Sequence, residues 1–160
     1  MLGNDFRSFI QEVKKNYPSS YIEVDREISA LYETTAIVTK LEGEKRTPIL
    51  HFTNVKDTEF SVVVNACASR SIVAAALGVD KKELPHKYRD ALNNLIEPER
   101  VQDAPVHEVV FTGDEVDILK LPQMRYHDTD GASYISGSIV MAKDPDTGSY
   151  SCSYNRLMIK

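Results

Sequence analysis

A chain of 160 residues with a formal charge of −5 has no overall electrostatic attraction for nucleic acid, and 42% hydrophobic with 27% charged residues excludes a disordered or membrane-dominated composition. The length fits one domain, or one and part of a second. Cys67 and Cys152 are too few and too far apart for a disulfide framework or a zinc site, the amino terminus lacks the apolar core of a signal peptide, and no run approaches the roughly 20 apolar residues of a membrane span, so a soluble protein of a reducing, cytoplasmic compartment is expected.

Phe6, Phe9, Ile10 and Val13 recur at helical spacing, with Asn4 or Asp5 available as the cap and Pro18 as the stop, which predicts an opening amphipathic helix. Tyr21 to Val24 reads as a short strand. Ile28, Leu31, Tyr32, Thr35 and Val38 predict a second helix, ended at Gly43. Two β-like runs follow, 49–55 and 60–65, the latter with a Val-Val-Val triplet suited to a strand covered on both faces. Ser69 can cap a helix through Leu77 that Gly78 closes, and Leu84 to Leu95 predicts another, with Pro85 tolerated in its first turn. EPERVQDAPV, Glu97 to Val106, has two prolines and little apolar content and reads as a linker. Beyond it the helical periodicity ends: His107 to Thr112 predicts a strand, GDEVDILKLP a turn and a short extended piece, and Tyr134 to Ala142 and Ser149 to Ile159 a hairpin around DPDTG, where Gly148 supplies a positive φ.

Few motifs carry chemistry on their own. HDTDG, His127 to Gly131, alternates two aspartates before a glycine but lacks the remaining ligands of a calcium loop, so a solvated turn is the expectation. His51, His86, His107 and His127 have no ligand spacing and read as surface or edge residues. Cys67, before a predicted helix start and with no histidine nearby in sequence, reads as a buried structural cysteine. Arg156 stands out, because the last strand carries Tyr150, Cys152, Tyr154, Arg156 and Met158 on one face. A buried, unpartnered charge there would cost about 3–5 kcal/mol, so the arginine either has an anionic partner or snorkels from an edge strand. The opposite face, Ser149, Ser151, Ser153 and Asn155, is a row of neutral hydrogen-bonding groups that lines a polar site or faces water.

SRSIVAAALGVDKKEL (69–84), PVHEVVFTGDEVDILKLP (105–122), DGASYISGSIVMAKDPDTG (130–148) and the closing SYNRLMIK together resemble the UbiD family of reversible, non-oxidative decarboxylases, and FRSFIQEV and IEVDREI resemble that family's amino terminus. The resemblance implies prenylated FMN held on a split β-barrel, with a divalent metal, manganese or magnesium, at its phosphate and a monovalent cation as a further candidate. It implies aromatic or α,β-unsaturated carboxylic acids as substrates, a homo-oligomer, and a flavin prenyltransferase as supplier of the cofactor. Carried over by position, it makes Arg156 the catalytic arginine, Ser153, Tyr154, Asn155 and Arg156 the cofactor-contacting stretch, and Ser151 the metal-binding position. The family has asparagine where Ser151 stands, so a shorter side chain must reach the metal, directly or through water. In the family the arginine belongs with two glutamates that follow later in the chain.

The fold expected is mixed α/β: an N-terminal α/β domain over residues 1–101, then over 102–160 the first strands of an incomplete split β-barrel. The function expected is that of the N-terminal part of a UbiD-like carboxy-lyase, inactive by itself. The competing expectation is a non-catalytic assembly or flavin-binding subunit of a decarboxylase complex.

Overall fold

The computed structural model describes Leu2, residues 5–97 and residues 99–160. Helix α1 (Phe6–Asn16) starts at Asp5, whose carboxylate accepts the Arg7 and Ser8 amides at 2.9 and 3.0 Å while the Ser8 hydroxyl returns to Asp5, a reciprocal cap that satisfies the first-turn donors. A 3-10 turn at Pro18–Ser20 leads into β1 (Tyr21–Val24). With β2 (Ile49–Phe52) and β3 (Val62–Val64) it forms a three-stranded sheet in the order β1-β2-β3. The Val-Val-Val strand is only half-buried, so the expected cover on both faces is not found.

The chain divides into two compact units that interleave in sequence. The first comprises Met1–Val24, Thr47–His51 and Val63–Asp117. Its core joins Ile10 and Val13 of α1 to Tyr21, Ile49 and Ile72, with Leu2, Phe9 and Val63 packed against them. Ile72 comes from helix α3 (Arg70–Ala76), capped by the Ser69 hydroxyl. It ends in a Schellman motif: Gly78, at φ 68°, and Val79 return their amides to Ala75 and Ala74. Helix α4 (Leu84–Asn93) follows, with Pro85 in its first turn as expected. On the sheet, Tyr21 bonds to Glu23 at 3.0 Å and to His51 Nδ1 at 2.8 Å, and Lys14 pairs with Glu23 at 2.7 Å. A phenol has one hydrogen, so with it on Glu23 the imidazole Nδ1 is the donor to Tyr21. Burial, then the Glu23 hydrogen bond, pushes the Tyr21 phenol up to about 12.

Two expectations fail in this unit. His107 to Thr112 is not a strand: Pro105–His107 is a 3-10 turn, and Val109, Val110 and Phe111 stand exposed with no ladder among the described residues to join. Cys67 is exposed rather than buried.

The second unit comprises Asp25–Arg46, Phe52–Val62 and Ile118–Lys160. Helix α2 (Glu33–Gly43) starts five residues later than its apolar stripe predicts, because the backbone of Ile28 to Tyr32 is already engaged. Ile28 bridges to Val55, Leu31 bridges to Arg125, and the Tyr32 amide donates to the Arg125 carbonyl at 2.8 Å. Tyr32 itself sits at φ 66°, a conformation costing about 1–3 kcal/mol that this bridge holds in place. Ile28, Phe52, Val55, Met124 and Ile159 are buried here. The unit ends in an antiparallel hairpin of β4 (Tyr134–Lys143) and β5 (Tyr150–Met158). Its turn is built by Asp144, whose carboxylate accepts the Asp146 and Thr147 amides, and by Gly148 at φ 73°. The mixed α/β class expected from the sequence is the class observed.

Candidate functional site

Arg156 lies opposite an irregularity in the hairpin. Tyr134 pairs with Met158 and Ile135 with Leu157, but the next pair is Ser138 with Asn155, which leaves Ser136 and Gly137 together facing Arg156. Such a bulge breaks the ladder and re-aims the side chains around it. Tyr134, on the Arg156 face, brings its ring centroid to 3.6 Å from the guanidinium carbon. The arginine's charge is met by a residue of the HDTDG turn: Arg156 Nη2 donates to Asp130 Oδ1 at 2.5 Å.

Asp130 is 9% exposed, so the turn is not simply solvated, and the expectation for HDTDG is corrected at this residue. Its second oxygen accepts the Tyr126 and His127 amides at 3.1 and 3.0 Å. Its carbonyl accepts Arg125 Nε at 2.9 Å and also Arg125 Nη2. Arg125 exchanges backbone hydrogen bonds with Ala30 and Tyr32, and Tyr126 reaches the bulge through its hydroxyl, 2.7 Å from Ser136 Oγ. The Arg156 hydrogen bond, then the two amides, holds the Asp130 carboxyl down at about 2, and Asp130 in turn raises the arginine above its ordinary value. The Arg156 side chain is 46% exposed, so it is a paired charge at a surface rather than a buried one. A guanidinium has five donors, and this contact engages one nitrogen, so a second anion can be held on the same group.

The other expected site residues follow the strand alternation. Ser151, Ser153 and Asn155 share one face of β5, Tyr154 and Arg156 the other, and all five are exposed. Asn155 Nδ2 donates to Ser153 Oγ at 2.7 Å. Among the described residues no group of three or more His, Cys, Asp or Glu side chains is placed to hold a metal ion. His86 meets Arg89 at 2.9 Å, and His86, His107 and His127 are exposed. An open cavity of about 570 Å³ is lined by Tyr32, Thr35, Lys40, Tyr126, His127 and Asp128 among others, and none of the expected site residues faces it. Its 126–128 wall is the segment whose amides hold Asp130. Asp130 and Tyr134 are the site residues that sequence reasoning missed; the Asp-Gly step marked a turn, but nothing local pointed 26 residues ahead to Arg156.

No helix among the described residues is long and apolar enough to cross a membrane. The chain is 32% identical over 154 residues to an anhydromevalonate phosphate decarboxylase of Methanosarcina mazei, covering 96% of this chain and 33% of that protein. It is 30% identical over 155 residues to a phenolic acid decarboxylase of Streptomyces sp. strain D7, covering 91% and 32%. The chain thus spans about a third of the length of these relatives. Among solved structures, an evolved dimeric form of the UbiD-class enzyme HmfF from Pelotomaculum thermopropionicum, in complex with prFMN, matches with a TM-score of 0.88 at 27% identity, over 98% of this chain and 36% of that one. The apo 3,4-dihydroxybenzoic acid decarboxylase of Enterobacter cloacae matches with 0.87 at 26%, over 100% and 35%. Residues 18–92 match the model of the 3-octaprenyl-4-hydroxybenzoate carboxy-lyase N-terminal domain, and residues 99–160 match that of the same family's Rift-related domain. With both models met in order along most of its length, the chain belongs to the UbiD family.

Proposed function

We propose that this chain is the N-terminal part of a carboxy-lyase that reversibly and non-oxidatively decarboxylates aromatic or α,β-unsaturated carboxylic acids with prenylated FMN. In this reading residues 1–101 are the α/β domain and residues 102–160 begin the split β-barrel. The observation that carries it is Arg156: a half-exposed guanidinium opposite a strand bulge, fixed on one edge by a buried carboxylate and on its face by Tyr134, within the segment that matches the Rift-related domain. The relatives named as decarboxylases and the prFMN complex of HmfF support the same chemistry.

The donor set of β5 suits the polar end of a flavin. Ser151, Ser153 and Asn155 offer hydroxyl and amide groups along one exposed face, and Arg156 adds a permanent cation from the other. For a divalent metal Ser151 would offer one neutral hydroxyl oxygen, so further ligands, waters or the flavin phosphate itself must complete the sphere. When bound, the prenylated flavin supplies the electron sink for the departing carboxylate. The polypeptide's part is to hold and orient: Arg156 fixes a carboxylate by its planar, two-pronged donors, and the neutral row of β5 seats the cofactor.

A two-stranded ribbon cannot enclose a flavin, so the 160-residue chain purified alone is expected to show no turnover of aromatic or acrylic acids above the free-cofactor background. In a longer protein carrying this sequence, Arg156→Lys is expected to lower turnover about 100-fold, the scale set by misplacing a reacting group by about 1 Å, while the absorbance of bound cofactor stays at the parent level. Parent-rate turnover by that variant would overturn the catalytic assignment. Loss of cofactor together with activity would make the arginine a binding residue instead.

A further inference from the structure

We infer that Asp130 is the positioning residue for Arg156: the 126–130 turn holds its carboxylate so that the guanidinium is presented in one orientation beside the β4–β5 bulge. The inference rests on the reading of Arg156 as the catalytic arginine and extends it to a residue outside β5.

Geometry gives the contact a direction. The Asp130 carboxylate is fixed before the arginine is considered, because the Tyr126 and His127 amides take Oδ2 and leave Oδ1 to Arg156. The turn beneath it is fixed as well. The Asp130 amide donates to the His127 carbonyl at 3.1 Å, Arg125 grips the Asp130 carbonyl, and Arg125 is tied through its own backbone to Ala30 and Tyr32. A carboxylate 9% exposed on this frame is a stationary anchor, whereas an arginine on a fully exposed strand is a long, mobile side chain without one. The ring of Tyr134 then confines the face of the guanidinium while Asp130 confines one edge, so both tilt and rotation are set. The Tyr126 hydroxyl on Ser136 couples the same turn to the bulge that faces the arginine. Four N–H donors besides the one given to Asp130 remain for a substrate or catalytic carboxylate, and their direction is inherited from the anchored edge.

The test is side-chain NMR of the chain as it stands, joined to a double-mutant cycle in the longer protein. In the parent, the Arg156 Nε–H signal should be sharp and slow to exchange, with separate Nη resonances from restricted rotation. Asp130→Asn, nearly the same shape and still able to accept one amide, should collapse that signal to solvent-like behaviour. From the other side, Arg156→Gln should leave the Tyr126 and His127 amide shifts in place, because the carboxylate is anchored without the arginine; this arm holds even if Asp130→Asn fails to fold. In turnover, Asp130→Asn should lose about 100-fold in kcat on the Arg156 background and less than about 2-fold on the Arg156→Lys background, a non-additivity that a merely structural residue would not give. An unchanged Arg156 spectrum in Asp130→Asn, scattered Tyr126 and His127 shifts in Arg156→Gln, or equal losses on both backgrounds would overturn the inference. Parental turnover by Arg156→Lys would instead overturn the functional reading beneath it, and with it the purpose of the contact.

Discussion

Acidifying the chain should leave Asp130 ionised long after ordinary aspartates have taken up their protons. The Arg156 hydrogen bond is the largest cause, the His127 and Tyr126 amides add to it, burial opposes them, and the carboxyl comes down to about 2 from an ordinary 3.8. At pH 3, about one unit above the folded value, roughly 90% of Asp130 carboxyls are charged in the folded chain, against roughly 15% for an ordinary aspartate in the unfolded one. Because the folded value is the lower, the unfolded chain binds more protons in this range. The stabilisation from Asp130 is therefore complete above pH 3.8 and is lost as pH falls through about 2. Asp5, Glu23 and Asp144 are also held low by their hydrogen bonds, so a global acid-unfolding curve would blend four groups. The assay is accordingly residue-resolved: the carboxyl-carbon shift of Asp130 followed from pH 6 to pH 1.5, in the parent and in Arg156→Gln. The variant loses the principal cause that lowers the value, while the opposing burial and the two amides remain, so its midpoint should rise clearly above that of the parent. A parent midpoint in the ordinary range, or a variant midpoint still at about 2, would refute the pairing on which the candidate site is built.

Two further perturbations separate scaffold from site. Phe52 at the end of β2 is fully buried, and Phe52→Ala should cost about 3–5 kcal/mol in urea denaturation, enough to unfold a marginal chain, whereas an effect under about 1 kcal/mol would mean that the core around it collapses onto the gap. Ser151→Ala, at an exposed position of β5, should leave the denaturation midpoint unchanged and weaken the divalent-metal dependence of cofactor binding in the longer protein; identical metal titrations for parent and variant would remove Ser151 from the metal site.

What could be read from the sequence is what is settled within a few residues. The Asp5 cap of α1, the Ser69 cap and Gly78 close of α3, Pro85 in the first turn of α4 and the Asp144 to Gly148 hairpin turn all rest on hydrogen bonds or φ angles spanning three or four positions, and each forms as the local chemistry demands. Periodicity misled where a long-range partner had first claim on the backbone. Ile28 to Tyr32 continue the stripe of α2, yet their amides and carbonyls bridge to 54–56 and to Arg125, and the helix waits until Glu33. The segment 107–112 shows the converse, a strand-like composition with no neighbouring strand among the described residues to pair with. The candidate site divides along the same line. Arg156 was conspicuous because a charge in an apolar, alternating row is a local anomaly, and its row of neutral neighbours at Ser151, Ser153 and Asn155 follows from the two-residue period alone. Its anchor was hidden, since Asp130 offers only an Asp-Gly turn in sequence and meets its partner only when β5 brings the chain back beside it. The bulge was hidden for a related reason: one extra residue in β4 leaves the composition of the strand unchanged and appears only in the register against β5. A strand with an out-of-place charge should therefore be read together with the turns that precede its hairpin partner, because a short acidic turn that seems solvated in sequence is well placed to return as the counterion.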